Sequence, residues 1–127
     1  MHTRIDPQRA AHQLRLMLQT ILRSIEATPQ FTAANLLTLL AVMEEPGATQ
    51  PEIYALAGKL AAKDPAVLSR QLRYLRGKRQ GVVQSPLKPM VVLEPKAEDN
   101  RVNQVYLTEE GDALRKELAR MLSHAAQ

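Results

Sequence analysis

Residues 49–77 read TQPEIYALAGKLAAKDPAVLSRQLRYLRG, with two helix-start signals fifteen positions apart. Thr49 and Glu52 have the spacing of a capping box, in which each side chain satisfies a backbone N–H at the helix start, just ahead of Ile53, Leu56 and Ala57. A short helix follows, with Gly58 near its end. Asp64-Pro65 is the second signal: an acidic N-cap with proline at the first helical position, where its missing N–H costs nothing. From there Leu68, Leu72 and Leu75 form a single apolar line, predicting a helix that lasts until about Gly77. At a hundred degrees per residue, the opposite side carries Ala66, Ser69, Arg70, Arg73 and Gly77, flanked by Arg76. One side is built to pack, and the other is small, polar and basic.

On the N-terminal side, Leu14, Met17, Leu18, Ile21 and Ile25 recur at helical spacing behind Asp6-Pro7, predicting an amphipathic helix over residues 7–27 that stops at Thr28-Pro29. Thr32 can cap the next segment. Its Leu36, Leu37, Leu39, Leu40 and Met43 cover so much of the circumference that burial on more than one side is expected. That helix stops at Glu45-Pro46-Gly47.

On the C-terminal side the period changes. Val82-Val83, Met90–Leu93 and the alternating Val102–Leu107 are β-favouring runs, with Pro95–Arg101 as a polar connection between the last two. Pro86 and Pro89 make residues 84–89 an irregular stretch or a poorly paired edge, because proline donates no ladder hydrogen bond. Thr108-Glu109-Glu110 caps a final helix whose stripe of Ala113, Leu114, Leu118, Met121 and Leu122 runs to about His124. The chain therefore reads as mainly α, with four helices, a small β-hairpin and a closing helix.

Composition narrows the chemistry. The 127 residues contain no Cys, which excludes disulfides, thiolate metal sites and cysteine nucleophiles. Aromatic residues are 3% against 45% apolar overall, so aliphatic packing must carry one core. Neither a signal-peptide core near the N-terminus nor a membrane-length apolar run is present, so a cytoplasmic protein without membrane contact is expected. The sequence has no HExxH, phosphate loop, dinucleotide turn or nucleophile elbow, and is not expected to be an enzyme or to carry a cofactor or metal. His2, His12 and His124 read as ordinary exposed histidines. Tyr54, Tyr74 and Tyr106 are too scattered for a base-stacking platform.

Charge is informative by position. The net charge is +4, but residues 59–88 alone carry eight basic side chains against Asp64. A basic segment in an otherwise mildly acidic chain is the footprint of a polyanion-binding element. The two helices of residues 49–77 have the lengths of a helix-turn-helix, and the hairpin supplies a wing. In such a unit the second helix enters the major groove, with small residues approaching base edges and arginines reaching guanine or phosphates. Ala66, Ser69, Arg70 and Arg73 fit that role. Lys63, Arg76, Lys78 and Arg79 border the helix as phosphate contacts.

The ordered set Asp64-Pro65-Ala66-Val67-Leu68-Ser69-Arg70, Gly81-Val82-Val83, Asp99-Asn100-Arg101 and Val105-Tyr106-Leu107-Thr108-Glu109-Glu110-Gly111 resembles the MarR family of winged-helix regulators. The match covers roughly residues 32–122. The resemblance implies a DNA-binding core and wing over residues 32–107, with residues 7–27 and 108–124 intertwining as the dimerisation helices of one 127-residue domain. It also implies a homodimer that places two recognition helices on a pseudopalindromic operator as a repressor. Arg101, oriented by Asp99, would enter the minor groove at the wing tip, with Lys96 and Asn100 as neighbouring contacts. A small-molecule effector pocket would be lined by aliphatics. Two departures stand out: about eight extra residues between Gly81 and Pro95, and a shorter closing helix. A rival expectation is a winged-helix protein-interaction module that docks through residues 84–89.

Overall fold

The computed structural model describes residues 5–79, 82–83 and 85–125. In chain order its elements are α1 (Pro7–Ser24), α2 (Ala33–Glu44), β1 (Ala48–Thr49), α3 (Gln50–Ala57), α4 (Pro65–Leu75), β2 (Lys78–Arg79), β3 (Val82–Val83), β4 (Val91–Lys96), β5 (Asp99–Leu107) and α5 (Glu109–Ala125). The architecture is mainly helical with a small β wing, as the sequence predicts.

Helix starts follow the capping residues. Asp6, Thr32, Thr49 and Asp64 each accept a hydrogen bond from a first-turn N–H, and Thr49 with Glu52 forms the complete capping box. Thr108 serves α5, where its hydroxyl accepts from the Gly111 N–H at 3.1 Å. One helix end differs from the expectation. The first helix stops at Ser24 rather than Ala27, because Glu26 adopts the left-handed conformation (φ 53°) and the Ala27 N–H bonds back to the Leu22 carbonyl at 2.9 Å. That six-to-one bond closes the helix as a Schellman turn, formed here without glycine.

The wing is a three-stranded antiparallel sheet of order β1-β5-β4. Val91 pairs with Leu107 at its base, and Lys96 with Asp99 at its tip. The polar connection expected over Pro95–Arg101 is shorter than that, a turn of Ala97 and Glu98, because both strands extend past a bulge at Pro95/Lys96. Proline is tolerated there because the irregularity spares it a donor role. Two small strands were not anticipated. Ala48–Thr49 pairs with Gln104–Val105, and Lys78–Arg79 pairs with Val82–Val83. Gly81, one of the residues that carry the family resemblance, lies outside the described residues, as do Gln80 and Gln84.

The core joins every helix to the wing. Ile25, Leu39, Val42, Ile53, Leu68, Leu72, Leu75, Met90, Val91 and Val105 are fully buried, and Leu114 and Leu118 of α5 pack against them. In α2 the burial is broad, yet Leu37 and Leu40 stay exposed on its outer flank. Only the C-terminal half of the α1 stripe is buried, because Leu14 and Leu18 face solvent.

The proline-bearing segment after β3 is an internal strap rather than a loose edge. Ser85 and Leu87 are buried, leaving Pro86 and Lys88 as its exposed side chains. Its backbone joins three elements: Lys88 N–H to Ile25 at 3.0 Å, Met90 N–H to Leu75 at 3.0 Å, and the Met90 carbonyl to Thr108 N–H at 3.0 Å. Directly after α4, Gly77 turns with φ 57°, and any Cβ there would collide with the Leu87 carbonyl. The prolines stand where no strand partner is required, which is how a stretch unfit for a ladder comes to pack inward.

Candidate nucleic-acid interface

Each side of α4 does what its residues dictate. Leu68, Leu72 and Leu75 are buried, while Ala66, Arg70 and Arg73 are exposed and Ser69 is half-exposed. The helix therefore presents a narrow outer ridge in which Ala66 and Ser69 leave room beside the two guanidinium groups. Lys63, just before the N-cap, and Lys78, just after the helix, are exposed at its two ends. Arg76 is different: it is half-buried, and its Nε is covered without a hydrogen-bond partner among the described residues. The side chains of Arg79 and Asn100 lie outside the described residues.

Polar contacts fix the turn ahead of the ridge. The Tyr54 hydroxyl donates to the Lys63 carbonyl at 3.2 Å, tying α3 to the residue before the Asp64 cap. Gln71, unremarked in the sequence because it interrupts no pattern, donates its amide to the Ala61 carbonyl at 2.5 Å and accepts from the Thr38 hydroxyl at 2.5 Å. It thereby joins α4 to both α2 and the turn.

At the wing tip, Asp99 and Arg101 form an ion pair at 3.1 Å, and the Arg101 side chain is 90% exposed. Hydrogen bonds from the Arg101 guanidinium and backbone hold the Asp99 carboxyl below the usual carboxylate range. Lys96, paired across the strands with Asp99, adds a positive field that lowers it further. The Glu52 carboxyl is also lowered, first by the Thr49 backbone N–H and then by its hydroxyl. Pro51 and Gln50, at the start of α3, line a shallow cleft with Arg101 and Asn103, so the wing lies beside the helix-turn-helix. No group of three His, Asp or Glu among the described residues could hold a metal ion, and no described helix is long and apolar enough to cross a membrane.

Solved structures share this fold. The chain is similar to BpsR of Bordetella bronchiseptica, whose DNA binding is regulated by 6-hydroxynicotinic acid, at 20% identity, covering 92% of this chain and 80% of that one with a TM-score of 0.52. It is also similar to the PcaV transcriptional regulator of Streptomyces coelicolor, at 17% identity and a TM-score of 0.50, covering 95% of this chain and 78% of that one. PcaV in complex with its natural ligand gives 18% identity and the same TM-score, 0.50, over 97% of this chain and 79% of that one. At such identities the likeness establishes the fold, and the fold is the winged helix-turn-helix that the MarR resemblance implies. No protein-family model matches the sequence, and no curated protein matches it.

Proposed function

We propose that this chain is a MarR-type, sequence-specific double-stranded DNA-binding transcriptional regulator, a cytoplasmic repressor acting as a homodimer on a pseudopalindromic operator. One observation carries the reading: Arg70 and Arg73 stand exposed beside Ala66 on the side of α4 opposite its buried leucines. A helix presented in this way has the diameter of a major groove, and its arginines have the reach for base edges. Lys63, Lys78 and the exposed Arg101 extend the positive surface to the flanking phosphates and the minor groove. Arg76, Arg79, Lys96 and Asn100 belong to the same proposed contact set.

The homodimer rests on apolar surface left uncovered on the two terminal helices: Leu14 at 66% and Leu18 at 43% exposure on α1, and Leu122 at 56% on α5. An apolar stripe of this kind on a surface helix marks an interface. A small-molecule effector is part of the same reading, by analogy with BpsR and PcaV, and 6-hydroxynicotinic acid is the first probe for it.

Selection of bound duplexes from a random pool tests the proposal. The expected product is a two-fold symmetric motif with half-sites about one helical turn apart, bound with a steep salt dependence. Recovery of unselected sequence, or no recovery at physiological salt, would overturn it.

A further inference from the structure

We infer that Gln71 is a positioning residue that sets the rotation of α4 and so decides which base edges Arg70 and Arg73 reach; this rests on the DNA-reading function proposed above. The orientation of its amide is fixed by chemistry. The Ala61 carbonyl can only accept, so the Gln71 NH2 faces it, and the remaining oxygen faces Thr38, whose hydroxyl must donate. Thr38 is fully buried and Ala61 is 3% exposed, so neither group has water as an alternative partner.

The packing of α4 does not need these bonds. Leu68, Leu72 and Leu75, all fully buried, already anchor it. What the leucine line lacks is directionality: apolar contact falls off gently as a helix rolls, whereas a hydrogen bond weakens steeply with angle. Gln71 holds two such bonds on opposite sides of one amide, one to α2 and one to the turn. Any roll of α4 lengthens or bends at least one of them.

The geometry of reading makes that restraint matter. A guanidinium about 9 Å from the helix axis moves by roughly 1.5 Å for a 10° roll, about three times the tolerance of a pre-organised contact. Phosphate contacts, made by flexible lysines and arginines through charge, tolerate such a shift. Gln71 and Thr38 therefore act on discrimination between sequences and not on affinity for DNA as such.

The test compares wild type with Thr38→Val, Gln71→Met and the double variant. Affinity is measured by fluorescence anisotropy on the duplex selected from a random pool and on a scrambled duplex, at several salt concentrations, alongside melting temperature. Each single variant is expected to lose about tenfold on the selected duplex, with scrambled-duplex affinity and salt slope unchanged, and the double to lose no more than the weaker single. Equal losses on both duplexes, or wild-type discrimination in folded variants, overturn the positioning role. Thr38→Val removes one hydroxyl and keeps the side-chain shape, so it carries the test if Gln71→Met does not fold. A wild-type protein with no preference between duplexes overturns the DNA-reading function itself, whereas a preference that survives both substitutions overturns this inference alone.

Discussion

The Asp99 carboxylate grips Arg101 at three points: Oδ1 accepts from the Arg101 backbone N–H at 3.0 Å and from Nε at 3.1 Å, and Oδ2 accepts from a terminal guanidinium nitrogen at 3.5 Å. The arginine is thus aimed while remaining almost fully in water. Arg101→Ala should lower operator affinity about tenfold, with the loss confined to duplexes whose flanks are A·T-rich, and leave thermal stability within about 0.5 kcal/mol. Asp99→Asn keeps the charge of Arg101 but loosens its aim, so it should cost less affinity than Arg101→Ala on the same A·T-rich duplexes. Because the pairing lowers the Asp99 pKa, the grip is complete at neutral and mildly acid pH and is lost only as pH falls through that lowered pKa. An NMR titration of the Asp99 carboxyl checks the direction, and a midpoint at or above the ordinary aspartate value contradicts it.

The two arginines of the α4 ridge and the lysine before it should separate by readout. Arg70→Ala or Arg73→Ala is expected to relax base preference at defined positions, at about 1–3 kcal/mol each. Lys63→Ala should weaken binding to all duplexes alike and reduce the salt slope by about one. Identical behaviour of all three variants would reassign the arginines to the backbone.

Gly111 inverts an ordinary rule of helix design. In an exposed helix, Gly→Ala stabilises by about 1 kcal/mol. Here a methyl would drive into the Met90 carbonyl and crowd the Leu107 side chain, so Gly111→Ala should destabilise by about 1–3 kcal/mol in thermal or urea unfolding. A variant as stable as wild type would mean that α5 can lift from the strap.

Leu14→Asp and Leu18→Asp place a charge on the uncovered stripe of α1 without entering the core. Each should convert the proposed homodimer to a monomer in sedimentation velocity and abolish the proposed two-site operator binding, while the helical circular dichroism signal persists. An unchanged sedimentation coefficient would locate the interface elsewhere.

Much of the fold could be read in advance because its signals are local. Asp6, Thr32, Thr49, Asp64 and Thr108 each announce a helix through chemistry confined to one turn, and the leucine line of α4 states which side is buried. The features that escaped depend on partners distant in sequence. Ala48–Thr49 is too short to carry a period and becomes a strand only because Val105 and Gln104 lie opposite. Ser85 and Leu87 flank Pro86, which reads as a loop, and nothing nearby shows that the backbone there bonds to Leu75, Ile25 and Thr108. The candidate site divides in the same way. Arg70 and Arg73 follow from helical phase as candidates, and Arg101 from the resemblance carried by Asp99-Asn100-Arg101. The covered Nε of Arg76 and the double hydrogen bond of Gln71 exist only once the helices are packed.

The bond from Lys88 to Ile25 also orders events during synthesis. As the chain leaves the ribosome, the N-terminal helix emerges long before the strap that bonds the Ile25 carbonyl at its cap, and before α5, the helix it packs against. During that interval the uncovered stripe is open to premature association, so slowed translation between the first helix and the strap is expected to lower soluble yield.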